Sequence, residues 1–140
     1  MKKVFLMLVI MMATISCKSQ EIILNREDIS KYSEIITKRF QTFDAFKEIH
    51  DLKDFKLTED EVLKKNFIEA VGLNEKNLPL VLRFNVDVKE LSNGSLSVSF
   101  ISDNEGESCS GVNCNYCFFK KGGGCGCNQI GGDCNHTITR

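Results

Sequence analysis

Six cysteines crowd into the last 32 residues of this chain, in the order Cys109-x4-Cys114-x2-Cys117-x7-Cys125-x-Cys127-x6-Cys134. A glycine-rich stretch this short cannot bury a core of its own; below about 40 residues a chain needs staples. Disulfides supply them in an oxidising compartment, where paired thiols form and persist. Closing a loop of about 15 residues contributes roughly 3 kcal/mol in the chain-entropy picture. The expectation is three structural bridges among Cys109, Cys114, Cys117, Cys125, Cys127 and Cys134. The pairing stays open, although Cys125 and Cys127 are too close in sequence to suit one another. The alternative is a zinc site with Cys114, Cys117, Cys125 and Cys127 as four thiolate ligands, since zinc favours tetrahedral sulfur cages.

The seventh cysteine sets the compartment. Cys17 follows a charged start, Met1-Lys2-Lys3, an apolar run from Val4 to Ile15, and a small Ser16. An apolar run of about a dozen residues suits an export signal and is too short to span a bilayer stably. Thr14-Ile15-Ser16-Cys17 resembles the lipobox of bacterial lipoprotein precursors, with Thr14 where that pattern usually has an aliphatic residue. Lys18-Ser19-Gln20 resembles the Cys-Lys starts common among lipoproteins of the Bacteroidota. The resemblance implies that residues 1–16 are removed and that Cys17 is lipidated with diacylglycerol and then N-acylated, by palmitate or a similar chain. Each buried methylene contributes about 0.8 kcal/mol, so two or three chains on one residue anchor nearly permanently. The implied address is the cell envelope, at the outer membrane, with the membrane itself as a partner. Lipidation also leaves an even number of thiols for the tail.

Removing residues 1–16 takes two lysines from the 18 basic residues and nothing from the 19 acids, leaving a net charge of −3. No basic cluster tracks a phosphate backbone, so nucleic acid is not an expected partner. The organisation expected is a signal peptide over 1–16, a lipidated tether over 17–20, a globular domain over 21–102, a polar linker over 103–108 and the cysteine-rich tail over 109–140.

Within the globular part, Ile29, Tyr32, Ile36, Phe40, Phe43, Phe46 and Ile49 recur at helical spacing and predict one long amphipathic helix. Thr58 and Glu61 have the spacing of a capping box, Leu57 and Val62 that of a hydrophobic staple, and Gly72 stands where a helix ends; these predict a second helix over about Glu59 to Val71. Strict alternation then predicts a strand from Leu80 to Val88 and a second from Leu96 to Phe100. A three-residue loop, Ser92 to Gly94, pairs Val88 with Val98 and Val86 with Phe100 and puts Gly94 in a left-handed position. Two strands alone are marginal, so Glu21 to Leu24 or Cys114 to Phe119 is expected to extend the sheet. The expected fold class is α+β: two amphipathic helices packed on a small antiparallel sheet, followed by a disulfide-stapled tail.

Catalytic groups are hard to assemble. His50 falls at an expected helix end and His136 in the tail, and Glu59, Asp60 and Glu61 suit a helix N-terminus better than a catalytic carboxylate pair. Cys109-x4-Cys114-x2-Cys117 has the spacing of plant-type ferredoxin ligands but lacks the distant fourth cysteine. Cys114-x2-Cys117 lacks the strand–helix setting of a redox dithiol. Asp103 to Glu107 lacks the full spacing of a calcium loop. Lys120 to Gly124 reads as the tip of a stapled hairpin. The function expected is therefore non-enzymatic: an exported lipoprotein acting as a binding or structural module that engages a protein or glycan, with a metal- or redox-handling lipoprotein as the alternative.

Overall fold

A computed structural model describes residues 20–101 and 105–140. The expected signal peptide, Cys17, most of the expected tether, and residues 103 and 104 of the expected linker lie outside the described residues.

The chain begins with β1 (Glu21–Leu24), a 3-10 stretch (Arg26–Tyr32) running into α1 (Ser33–Phe40), and a 3-10 turn (Asp44–Phe46). Eight more strands follow: β2 (His50–Asp60), β3 (Lys65–Leu73), β4 (Pro79–Glu90), β5 (Leu96–Phe100), β6 (Gly106–Gly111), β7 (Cys117–Phe119), β8 (Cys125–Cys127) and β9 (Cys134–Thr139). The architecture is mostly β, and the two-helix expectation is corrected at both helices.

The first predicted helix is cut short. The helical spacing holds through Ile36 and Phe40, but the backbone then turns. Thr42 donates both its amide and its hydroxyl to the Arg39 carbonyl, at 3.1 and 2.8 Å. A continuing helix would bond that carbonyl to the Phe43 amide, which instead bonds Phe40 at 3.1 Å. Side chains of this kind offer the backbone an alternative to the helix ladder. Phe43 is extended, and by His50 the chain is a strand. The aromatic stripe is nonetheless core: Ile29, Ile36, Phe40, Phe43, Phe46 and Ile49 are all buried.

The second predicted helix is a β-hairpin. Thr58 is paired across strands with Phe67, and its hydroxyl donates to Glu69 Oε1 at 3.0 Å rather than capping a helix. Asp60 accepts from the amides of Val62 and Leu63, each at 3.0 Å, and so forms the turn into β3. Phe67, Ile68, Glu69 and Ala70 are all buried because β3 is covered on both faces. A strand buried on both sides shows a continuous run instead of alternation, and periodicity alone does not separate it from a helix.

The main sheet has seven strands built around β4. Its one edge pairs with β3 along Pro79 to Val86; its other edge is shared, with β6 along Leu80 to Phe84 and β5 along Val86 to Glu90. β1 extends the sheet beyond β5, and β9 extends it beyond β6. Val86 faces Phe100 and Val88 faces Val98, the register expected from the three-residue loop, and Gly94 has φ +80°. Glu21 to Leu24 joins the sheet as expected, whereas Cys117 to Phe119 pairs with β8 in a separate two-stranded sheet. The tail is no appendage. Gly106 to Ser108, expected in the linker, open β6, and the tail contributes β6 and β9 to the main sheet.

The face of β4 bearing Leu80, Leu82, Phe84 and Val86 packs against α1 and the 3-10 turns to form the core. Gly106 sits where a side chain would collide, since a Cβ there would lie 2.5 Å from the Phe46 ring. The opposite face, bearing Val81, Arg83 and Asn85, lies under the β7–β8 hairpin. Among the described residues no helix is long and apolar enough to cross a membrane.

Candidate functional site

The sheet face beneath the cysteine-rich hairpin concentrates the buried polar chemistry. Arg83, at the middle of β4, is almost fully buried. Its guanidinium lies between two aromatic rings, 4.0 Å from the Phe67 centroid and 4.2 Å from that of Phe119. Nη2 donates to Glu107 Oε2 at 3.0 Å, and Nη1 stands 4.0 Å from Asp60 Oδ2. Cross-strand geometry explains the set: Arg83 is flanked by Glu69 on β3 and Glu107 on β6, which share its face. Planar guanidinium groups suit such a site because they stack and donate in a fork at once.

Glu107 Oε2 also lies 2.8 Å from His136 Nε2, contributed by β9. His136, which the sequence places in the tail, is thus tied to the sheet, with its ring edge-on to Phe119 at 6.3 Å. Ser108 follows Glu107 in β6, and strand alternation sends it to the opposite face. His50, expected at a helix end, opens β2 and meets Asn77 Oδ1 at 3.1 Å.

Asp60 locks the hairpin tip down. Besides the turn amides of Val62 and Leu63, its two oxygens accept the Gly122 amide at 3.1 and 2.9 Å. The Leu63 amide, then those of Gly122 and Val62 and the nearby Arg83 charge, hold its carboxyl below the ordinary range against the opposing effect of burial. A depressed folded pKa contributes stability that is fully present above the unfolded value, about 3.9, and is lost as pH falls through the folded one. Asp60→Asn is therefore expected to unfold at lower urea concentration than the native chain at pH 7, with the gap narrowing below about pH 4. Urea midpoints at pH 7 and pH 3 check this; a gap unchanged between them contradicts it.

All six tail cysteines are bridged: Cys109–Cys125, Cys114–Cys127 and Cys117–Cys134, with Cα separations of 5.6, 5.9 and 6.0 Å. The first cysteine pairs with the fourth, the second with the fifth and the third with the sixth. Cys117 and Cys127 are register partners in the β7–β8 hairpin, yet each bridges elsewhere. The hairpin expected around Lys120 to Gly124 is present, closed by Lys120 and Gly124 at 3.0 Å. Cys109, wholly buried, fastens the hairpin to the sheet through Cys125.

The zinc alternative named Cys114, Cys117, Cys125 and Cys127; these four are distributed over all three bridges. The sulfurs that converge are instead those of Cys114, Cys127 and Cys134, within 4.8 Å of one another. A disulfide sulfur is not a thiolate, so this trio is no zinc ligand set while the bridges stand.

Two cavities flank the cluster. One, of about 400 Å³, has Lys65, Phe67, Asn85 and Glu107 among its walls. The other, of about 320 Å³, lies between β2–β3 and the hairpin, with Lys56, Glu69, Val81 and Phe118 among its walls. Neither cavity was legible in the sequence, because the tail that forms their walls was read as separate from the sheet.

No protein-family model, curated protein or solved structure matches the chain.

Proposed function

We propose that this chain is an exported lipoprotein, held at the outer membrane of a bacterial envelope by acyl groups on Cys17, and that it serves there as a binding or structural module, not an enzyme. One observation carries the reading. The three bridges consume six of the seven cysteines, so Cys17 has no cysteine of its own chain left to pair with. An unpaired exposed thiol is a liability in an exported protein, and acylation removes it. The bridges themselves suit an oxidising compartment.

The surface offered to a protein or glycan partner is the outer end of the tail. Val112, Tyr116 and Ile130 are exposed there, on two loops joined by the Asn128–Tyr116 and Val112–Asp133 backbone bonds and by the Cys114–Cys127 bridge. Between Ser108 and Phe119, and again between Gly122 and Gly132, no residue carries an ionised acid or base. Asp133 is the one ionised side chain on these two loops. A surface of so little charge, with an exposed tyrosine and amide side chains, suits a partner recognised by stacking and hydrogen bonding more than by charge.

Labelling producing cells with a radiolabelled fatty acid tests the anchor. The native chain is expected to take up label and partition with membranes, and Cys17→Ser is expected to do neither. Equal labelling of both, or none in the native chain, rejects the proposal.

A further inference from the structure

We infer that the cleft between β2–β3 and the β7–β8 hairpin binds an organic ammonium ion carrying an apolar body. This inference is independent of the acyl anchor. The cleft has about 320 Å³ of space, room for roughly ten water-sized groups. Val71, Val81, Phe118 and Phe119 supply its apolar wall. Glu69 lies at its base with the residue only 9% exposed.

The charge balance selects the ligand. Among the lining side chains two are carboxylates, Asp54 and Glu69, and one is an ammonium, Lys56; the neighbouring Arg83 is already matched by Glu107 and Asp60. Glu69 Oε1 accepts from Thr58 at 3.0 Å, and Oε2 meets Lys56 Nζ at 3.1 Å. An ionised carboxylate has about four acceptor sites, so roughly two remain for an incoming donor. The Lys56 side chain is 62% exposed and is the displaceable member of the pair. Phe119 already carries the Arg83 guanidinium, so the aromatic surface left for an incoming cation is that of the half-exposed Phe118.

The rim is a doubly bulged stretch of β2. β2 shifts register against β3 between His50 and Lys53 and again between Lys53 and Lys56, one extra residue each time. Asp51 and Asp54 take left-handed backbone angles there, with φ +52° and +55°. Bulges of this kind re-aim side chains beside sites, and aspartate is among the few non-glycine residues that take such angles readily. The second bulge sets Asp54 at the cleft.

The test titrates the oxidised protein with 2-phenylethylammonium, 2-phenylethanol and 3-phenylpropionate, read by calorimetry and by chemical-shift changes at the cleft. Saturable binding of the ammonium alone is expected, weakened about tenfold or more by Glu69→Gln. Lys56→Gln, at an exposed position, is expected to tighten it by freeing Glu69, which guards against reading a misfolded Glu69 variant as support. Substituting N-acetyl-lysine methylamide as probe distinguishes the sources of the cation: stronger binding assigns the cleft to a lysine side chain, weaker binding to a free amine, and either supports the inference. Equal binding of the three phenyl probes, no saturation by any cation, or a Lys56→Gln variant that binds less tightly overturns it.

Discussion

Truncating Arg83 to alanine is expected to destabilise the fold by about 3–5 kcal/mol, the cost of breaking a buried ion pair by removing one partner. The guanidinium fills the space between the Phe67 and Phe119 rings, so its loss opens a void between sheet and hairpin. It also leaves the Glu107 and Asp60 carboxylates under the hairpin without the cation they share. Arg83→Lys keeps the charge but loses the flat stack and the fork, and only partial recovery is expected. Equilibrium urea unfolding with all three bridges intact measures both variants. A loss below about 1 kcal/mol for the alanine variant, the scale of an exposed pair, would show that the cluster contributes little to holding the tail in place.

Phe84→Ala should cost a similar amount from the other side of the same strand, about 3–5 kcal/mol. Phe84 is fully buried, with the rings of Phe40, Phe100 and Phe43 at 4.8, 5.6 and 6.0 Å. It also stands where the edge of β4 passes from β5 to β6, opposite Gly106. Glycine offers no side chain to relax into the space, and the surrounding rings are held by elements on three sides. Phe118→Ala provides the contrast: Phe118 is half exposed, and its truncation should change stability far less. Thermal and urea unfolding of the two variants side by side test the ranking; equal losses would mean that the aromatic cluster is not the centre of the core.

How much of this was legible in the sequence depends on whether neighbours in space were neighbours in the chain. The β4–β5 hairpin was readable down to its register, because alternation of Val86 and Val88 against Val98 and Phe100 and the left-handed Gly94 are local signals. Glu21 to Leu24 was one of two candidates for a further strand, named because two strands alone are marginal, and it is the one that joins the main sheet. The aromatic stripe from Ile29 to Ile49 marked the core, but not the break after Phe40, which rests on the hydrogen bonds of Thr42. The β2–β3 hairpin was hidden by its own burial: Phe67 to Ala70 lost their alternation because helix and tail cover opposite faces. Arg83, Glu107 and His136 come from three strands brought together by long-range pairing. One signal was present, an arginine alternating with large apolar residues at the middle of a central strand, where an unpartnered charge is not tolerated. The six bridged cysteines were legible as a group from number and spacing, but their pairing was not.

The order of those pairings has an effect on how the tail fails. Each disulfide spans one end of both others, so a single peptide-bond cleavage anywhere between Cys109 and Cys134 leaves two pieces still covalently tethered. A protease in the surrounding medium can nick an outward loop there without shedding a fragment. Damage to that half of the molecule is retained in place until a reductant arrives.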